Sequence, residues 1–341
     1  MARGAHPPGE PRPTRQPPEA VGQRLRQSVD AAAARLSESG VRVELHALVA
    51  NERGGPVAAT YGVALAACCF LALAWPLRAS VLLGLMLASG LLDLEGRRSW
   101  LRQLAPREGG RALLQWPTTT APPGPLVLLV VPDEATRSRA PGFVASALGA
   151  LTLCSLLGAL ARPLVADLTV PLLTATGTAG LIVTTLAWLF DRRGRMEPDG
   201  ESGVRLAERI VSALEEQPPA RGHVAVATIG GGTLFHDGLD VLLKNHRTRL
   251  APETTRIVTW QPADGSLSIV PRDGRILRSR PDPALLTSLE SLDLPSSGGV
   301  TSAARARTGG WRAVGLQGGL DDPGSIVRGL ADAARRAAEG E

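Results

Sequence analysis

Two carboxylates and a run of glycines are the groups in this 341-residue chain best placed to do chemistry. Asp199 lies in the turn Asp199-Gly200-Glu201-Ser202-Gly203, directly ahead of a stretch with helical periodicity. Asp133 follows the apolar run Pro125 to Val131. A carboxylate in such a place can hold a metal ion or take a proton from water. Gly230-Gly231-Gly232 breaks a second apolar run, Val224 to Ile229, and Thr233 and His236 lie just beyond it. Ser202 offers a hydroxyl, but no Gly-x-Ser-x-Gly elbow surrounds it and no base is evident, so it reads as a helix cap. Of the other histidines, His6 is in a tail, His46 is near a strand end, His223 precedes a strand, and His246 shares a segment with His236. His236 is nearest the glycines and reads as a surface residue.

The elements that must position these groups follow from periodicity. Val204, Ala207, Ile210, Val211 and Leu214 make one helical face, with charged residues on the other, and Pro218-Pro219 ends the helix. Val224 to Ile229 is apolar throughout, as a parallel strand buried on both faces would be, and a helical segment then runs to about His246. Helix, strand, glycine turn and helix form half of an open α/β sheet, with the glycines at the carboxyl end of a strand, where such sheets keep their sites. Further strands are expected at Arg256 to Trp260, Leu267 to Val270 and Arg312 to Leu316. Helices are expected from Pro283 to Leu292 and from Pro323 to about Ala338, with Ser296 to Gly310 as a polar, glycine-rich loop. Near the start, Val21, Leu25, Val29, Ala32, Ala33 and Leu36 share a helical face; Gly40 stops that helix and Val41 to Leu45 alternates like a strand.

Four long uncharged runs interrupt this pattern. Gly54 to Leu77 and Ala79 to Leu92 form one hairpin around Arg78; Ala140 to Ala161 and Leu168 to Phe190 form another around Arg162-Pro163. Runs of about 20 apolar residues span a bilayer. Arg97, Arg98, Arg102, Arg107, Arg192, Arg193 and Arg195 crowd the span ends nearest the soluble segments, against Arg78 and Arg162 at the turns. The positive-inside rule therefore puts both termini and the soluble part in the cytoplasm of a four-span membrane protein. Glycines such as Gly84, Gly90, Gly149 and Gly158 are expected to let the spans pack closely. Arg97 to Gly110 reads as a basic juxtamembrane segment, with Trp100, Leu101 and Leu104 able to lie on headgroups. The fold class is thus α/β: a mixed, mostly parallel sheet flanked by helices and interrupted by two transmembrane helical hairpins.

The stretch Met196 to His246 resembles the zinc exopeptidases of metallopeptidase family 28. Asp199-Gly200-Glu201-Ser202-Gly203 matches the family's Asp-x-x-Ser-Gly turn, whose aspartate bridges two zinc ions. The opening helix, Gly40 and strand match how that domain begins. The resemblance implies a zinc-exopeptidase-like fold and, elsewhere, substitutions. Where the family has its Glu-Glu pair of general base and ligand, this chain has Gly232 and Thr233. Its His-x-Asp strand end reads Val131-Pro132-Asp133, which keeps the aspartate and loses the histidine. The aspartate ligand expected after Trp260 is Gln261, and Gln317 to Asp322 contains no histidine. The zinc expected in the family is therefore expected to be lost, leaving no cofactor and Asp199 as a vestigial ligand position.

On this basis residues 1–18 form a disordered Pro/Arg-rich tail, and 19–53 the first part of a peptidase-like domain. Residues 54–96 form hairpin 1, 97–139 a juxtamembrane segment with a central strand, 140–190 hairpin 2, and 191–341 the main part of the domain. The net charge of +5 comes almost wholly from arginine, with Lys244 the one lysine. With 3% aromatic residues and no nucleic-acid motif, a nucleic-acid partner is not expected. The three cysteines lie in spans and imply no disulfide framework. The expected function is a membrane-anchored pseudoenzyme that binds or scaffolds, with the bilayer as one partner and a protein as a possible other. A divergent hydrolase and a transport protein are the alternatives.

Overall fold

The computed structural model describes residues 29–38, 40–50, 54–95, 99–105, 108–117, 124–132, 140–193, 203–229, 237–263, 265–274, 278–319 and 322–340. A seven-stranded sheet carries the fold. Its strands are β1 (Arg42–Ala50), β2 (Glu108–Trp116), β3 (Leu126–Pro132), β4 (His223–Ile229), β5 (Thr255–Gln261), β6 (Ser268–Val270) and β7 (Arg312–Gln317), in the order β1-β2-β4-β3-β5-β7-β6. β4, β3, β5 and β7 are mutually parallel, and only β2 and β6 run against the rest. β3 shows why it is central: from Val127 onward every residue is buried, as an all-apolar strand covered on both faces must be.

Helices cover both faces. On one lie α1 (29–38), α7 (Gly203–Glu216), α9 (Pro283–Glu290) and α11 (Pro323–Glu339); on the other lie α8 (Asp237–Asn245) and α10 (Ser302–Thr308). The predicted stripe of α7 is the buried one, Val204, Ala207, Ile210, Val211 and Leu214, joined by Leu206. Each such Val, Leu or Ile contributes about 1.5–3 kcal/mol by burial. Asp282 and Asp322 start α9 and α11 by accepting hydrogen bonds from main-chain N–H groups of the first turn, and a proline follows each at the first helical position.

Two expectations need correction. The end of the supposed juxtamembrane segment, Glu108 to Gly110, is extended, because it opens β2, which pairs antiparallel with both β1 and β4. The supposed loop Ser296 to Gly310 contains α10, which Thr301 caps by accepting from the Ala303 N–H and which buries Ala303 and Ala306 against the sheet.

The other helices are α2 (Gly54–Ala74), α3 (Pro76–Leu94), the short α4 (Trp100–Gln103), α5 (Ala140–Ala161) and α6 (Ala166–Arg193). α2, α3, α5 and α6 form a bundle with its own buried core. Three apolar stretches among the described residues are long enough to cross a membrane: Val57–Ala74, Pro76–Asp93 and Ala166–Leu186. The fourth expected span, α5, contributes the shorter described apolar stretch Ala147–Ala161. Both hairpin tips are at the same end, where Arg162 donates to the Ala72 carbonyl at 2.9 Å.

The tightest packing in the bundle falls mainly on glycines other than those expected. A Cβ on Gly62 would stand 1.6 Å from Thr184 Oγ1, and one on Gly180 would stand 2.8 Å from Leu65. Gly177 meets Cys69 in the same α2–α6 seam. Gly84 and Gly149 face open space, whereas Gly158 does pack, against Leu172 and Leu173. Composition shows how many small residues a helix has, but only the partner helix decides which face they serve. Gly62→Val should accordingly destabilise the bundle by about 1–3 kcal/mol through overpacking. Gly84→Ala should stabilise it slightly, since alanine is the better helix former; thermal unfolding of the two variants checks the contrast.

Candidate functional site

The strands end in a row. Through the sheet register, Ile229 is level with Pro132, which is followed by Gln261 and then Gln317. This carboxyl edge is where an open α/β sheet presents its loops to a ligand. Val131, one residue below the row, is fully buried among the residues facing α7 and α11. A valine there supplies packing and no donor atom. Gln261 closes β5, and its Cα partner is Gln317 at the end of β7. Asp133, Asp199, Gly232 and Thr233 lie outside the described residues, as do Ser202 and His236.

Beyond Gln317 the chain makes a tight double-glycine turn. Gly318 and Gly319 have φ of +107° and +88°, a region that side-chain-bearing residues rarely adopt. A Cβ on Gly318 would come within 2.2 Å of the Ser266 carbonyl oxygen, and one on Gly319 within 2.4 Å of Ile326. Main-chain bonds hold the turn: Gly318 N–H donates to the Gln261 carbonyl at 3.1 Å, and Gly319 N–H to the Gly265 carbonyl at 2.6 Å. Trp260 Nε1 adds a bond to the Gly318 carbonyl at 3.0 Å. The backbone here is too close to its neighbours for any side chain at 318 or 319.

The segment beside Gln317 is held from below. Gln317 Nε2 donates to the Gly298 carbonyl at 3.1 Å. Asp273, fully buried, accepts from Thr301 N–H at 2.7 Å, Thr301 Oγ1 at 2.5 Å and Arg307 Nη2 at 2.9 Å. Arg307 also donates to the Ala313 carbonyl at 2.9 Å, so one ion pair ties α10, β7 and the 273–301 region together. Sequence reading missed this pair because Asp273 and Arg307 are distant in the chain; the visible signal was the capping residue Thr301 ahead of Ser-Ala-Ala.

His46 and His246 come together, with ring centroids 4.2 Å apart, but on edge strand β1 and after α8. Glu44 accepts from Arg249 at 2.6 and 2.7 Å, pairs with Arg42 at 3.0 Å, and lies 3.6 Å from His46. Arg249 in turn stacks over Trp116, 4.2 Å from the ring centroid. Burial raises the Glu44 carboxyl, but the hydrogen bond and charge of Arg249, then Arg42 and His46, outweigh it and hold it below its ordinary value. Burial, then the charges of His46 and Arg249, push the His246 imidazole down against the pull of Glu44. His223 opens β4 at the opposite edge of the sheet.

A co-catalytic zinc pair needs carboxylates and imidazoles converging from separate strand ends. The described residues at these positions do not fit one: a buried valine, a neutral carboxamide and a turn with no room for a side chain. Among the described residues no three His, Cys, Asp or Glu side chains converge as metal donors. A surface cavity of about 420 Å³ lies at the opposite edge, lined by Pro283, Ala284, Thr287, Ser288 and Gly340, none of them titratable.

No family model matches the sequence, and no curated protein matches it. Among solved structures, the chain is similar to BSAP, a zinc aminopeptidase from Bacillus subtilis, with TM-score 0.34 and 10% identity over 67% of this chain and 50% of that one. It is similar to the LapA aminopeptidase of Legionella pneumophila, with TM-score 0.36 and 8% identity over 94% and 63%. A glutaminyl cyclase from an Acidobacteriales bacterium gives TM-score 0.38 and 11% identity over 98% and 96%. The chain thus spans half the length of the Bacillus enzyme and less than two thirds of the Legionella enzyme. These likenesses assign no role to any residue here.

Gly318→Ala should lower stability by about 1–3 kcal/mol, the usual cost of forcing a side chain into such backbone, and Arg307→Ala by about 3–5 kcal/mol by leaving Asp273 buried and unpaired; denaturant unfolding checks both. The β1–α8 cluster should weaken in acid. Glu44 and His246 are both depressed in the folded state, so each contributes stability that is present above its unfolded pKa and lost as pH falls through its folded value. Stability measured against pH should begin to fall below about 6.5, the unfolded imidazole value, and fall further below about 4.3, the carboxylate value. His246→Gln should remove the first part and Glu44→Gln the second.

Proposed function

We propose that this chain is a membrane-anchored, catalytically inactive peptidase-like protein that binds or scaffolds a partner. The observation that supports this reading most is the Gly318–Gly319 turn, where Cβ atoms would clash and φ is positive. That turn stands where the sequence resemblance calls for a zinc-binding imidazole. With Val131 buried, Gln261 neutral, and Gly232 and Thr233 standing where the resemblance calls for a carboxylate pair, hydrolysis would lack both a metal to activate water and a carboxylate base. The α/β frame persists without that chemistry, and such a frame can still bind.

Anchoring is supported by where the apolar surface lies. Every exposed large hydrophobic residue among those described is in the two hairpins or their turns, apart from Leu45, Trp100 and Leu104. Phe70 and Val63 on α2 and Leu157 on α5 are each more than half exposed, apolar surface that suits lipid better than water. Among the described residues, the buried polar side chains in the middle of the bundle are hydroxyls and a thiol, as where Cys69 donates to Ser155 at 3.3 Å and Ser155 to Thr176 at 3.0 Å. That is poor material for an ion path, which disfavours the transport reading. The arginines beside the span ends favour placing the sheet in the cytoplasm.

Asp133 and Asp199 remain in the sequence and keep a second reading, a divergent hydrolase, open to test. Full-length protein in detergent or vesicles should release no product from a panel of amino-acid amides and N-terminally varied peptides. Turnover abolished by both chelator and Asp199→Ala would instead establish the hydrolase. If Asp199 holds no metal, Asp199→Ala should change stability by no more than about 0.5 kcal/mol.

A further inference from the structure

The chain crosses between the bundle and the sheet four times. β1 runs into α2, α4 leads into β2, β3 runs into α5, and α6 leads into α7, whose amino end lies at the same edge because its carboxyl end feeds the start of β4. All four crossings therefore leave from the carboxyl edge, the row of Ile229, Pro132, Gln261 and Gln317. The β1–β2 ribbon makes this directional. Ala112 pairs with Ile229 and with His46, yet the ladder continues to Ala50 opposite Glu108, four residues past the row. Four extended residues reach about 13 Å, so the ribbon stands out from the edge as a strut toward the bundle.

The other end of the strut is fixed. α4 lies against the sheet-proximal end of the bundle, where Ser99 caps it and Leu101 N–H donates to Ser89 Oγ at 3.2 Å. Tyr61 donates to Asp93 at 2.6 Å and lies 3.3 Å from Ser99 Oγ, which closes a buried polar knot around that end. Leu101 and Ala105 are buried, while Trp100 and Leu104, one turn apart, are exposed. An exposed tryptophan beside an exposed leucine at the end of an apolar bundle is how a span is anchored at the headgroup level.

We infer that the strand-end edge of the sheet faces the membrane surface across the length of the β1–β2 ribbon, so that the lipid headgroup layer is what this edge looks onto. The headgroup region on each side of a bilayer is about 5–8 Å deep, less than the length of the ribbon, so the edge, with Gly265-Ser266 and Gly298 beside it, stands just outside the headgroups. Soluble ligands approach this edge only along the membrane plane. The inference rests on the reading that the bundle spans a bilayer.

The test uses the full chain with Cys68, Cys69 and Cys154 replaced by alanine and a single fluorescent label on Ser266→Cys, Glu216→Cys or Val63→Cys. Ser266 is at the strand-end edge, Glu216 at the opposite edge, and Val63 on the exposed side of α2. Gly298→Cys provides a second label at the strand-end edge should the first fail to fold. In phosphatidylcholine vesicles, a headgroup nitroxide should quench the Ser266 and Gly298 labels several-fold more than the Glu216 label, and acyl-chain bromines should quench the Val63 label. Equal headgroup quenching at the two edges, with Val63 still quenched by bromine, would overturn the inference and leave the membrane reading standing. No bromine quenching at Val63 would overturn both.

Discussion

The ladder that pairs β3 with β4 on one side and β5 on the other is the constraint that the rest of the molecule obeys. Its seven residues lie between two helical hairpins in the chain, yet their main-chain groups are buried in mid-sheet and need partners on both edges. Those partners come from the chain after the second hairpin. The hairpins therefore have to leave and return at one edge of the sheet. A helix pair satisfies that demand, because an even number of antiparallel helices brings the chain back to where it left. The α2–α6 seam, closed by Gly62, Gly177 and Gly180, then joins the two hairpins into one bundle.

The same edge carries the strand-end row, and it is built for packing and main-chain bonding. Trp260 bonds to the Gly318 carbonyl, Gly318 to the Gln261 carbonyl, and Gln317 to the Gly298 carbonyl. Beneath them the Asp273–Arg307 pair fixes the neighbouring segment. The edge is consequently held in place at Gln261 and Gln317.

Much of this was legible in the residues. α7 announced itself by its five-residue stripe, β4 and β3 by unbroken apolar runs, and α9 and α11 by an aspartate followed by proline. β2 was not legible, because Glu-Gly-Gly-Arg-Ala-Leu-Leu-Gln-Trp opens with glycines and charges next to a membrane-like segment. Its two faces are also both covered, which erases the alternation that marks a half-exposed strand. α10 is only seven residues long among glycines and serines, and its capping residue Thr301 is held by Asp273, which no local pattern reveals. At the candidate site, Gln261 and Val131 could be named from the sequence, but the sealing of the Gly318–Gly319 turn needed coordinates, since two glycines alone do not say what stands against them.

The central claim is that this edge has kept its frame and lost the donors for zinc. The most direct measurement is the metal content of the full-length protein, purified without chelator and then dialysed against a micromolar zinc buffer. The account predicts zinc far below one equivalent per chain, unchanged by Asp199→Ala. One or two equivalents that survive dialysis and are lost in Asp199→Ala would contradict it.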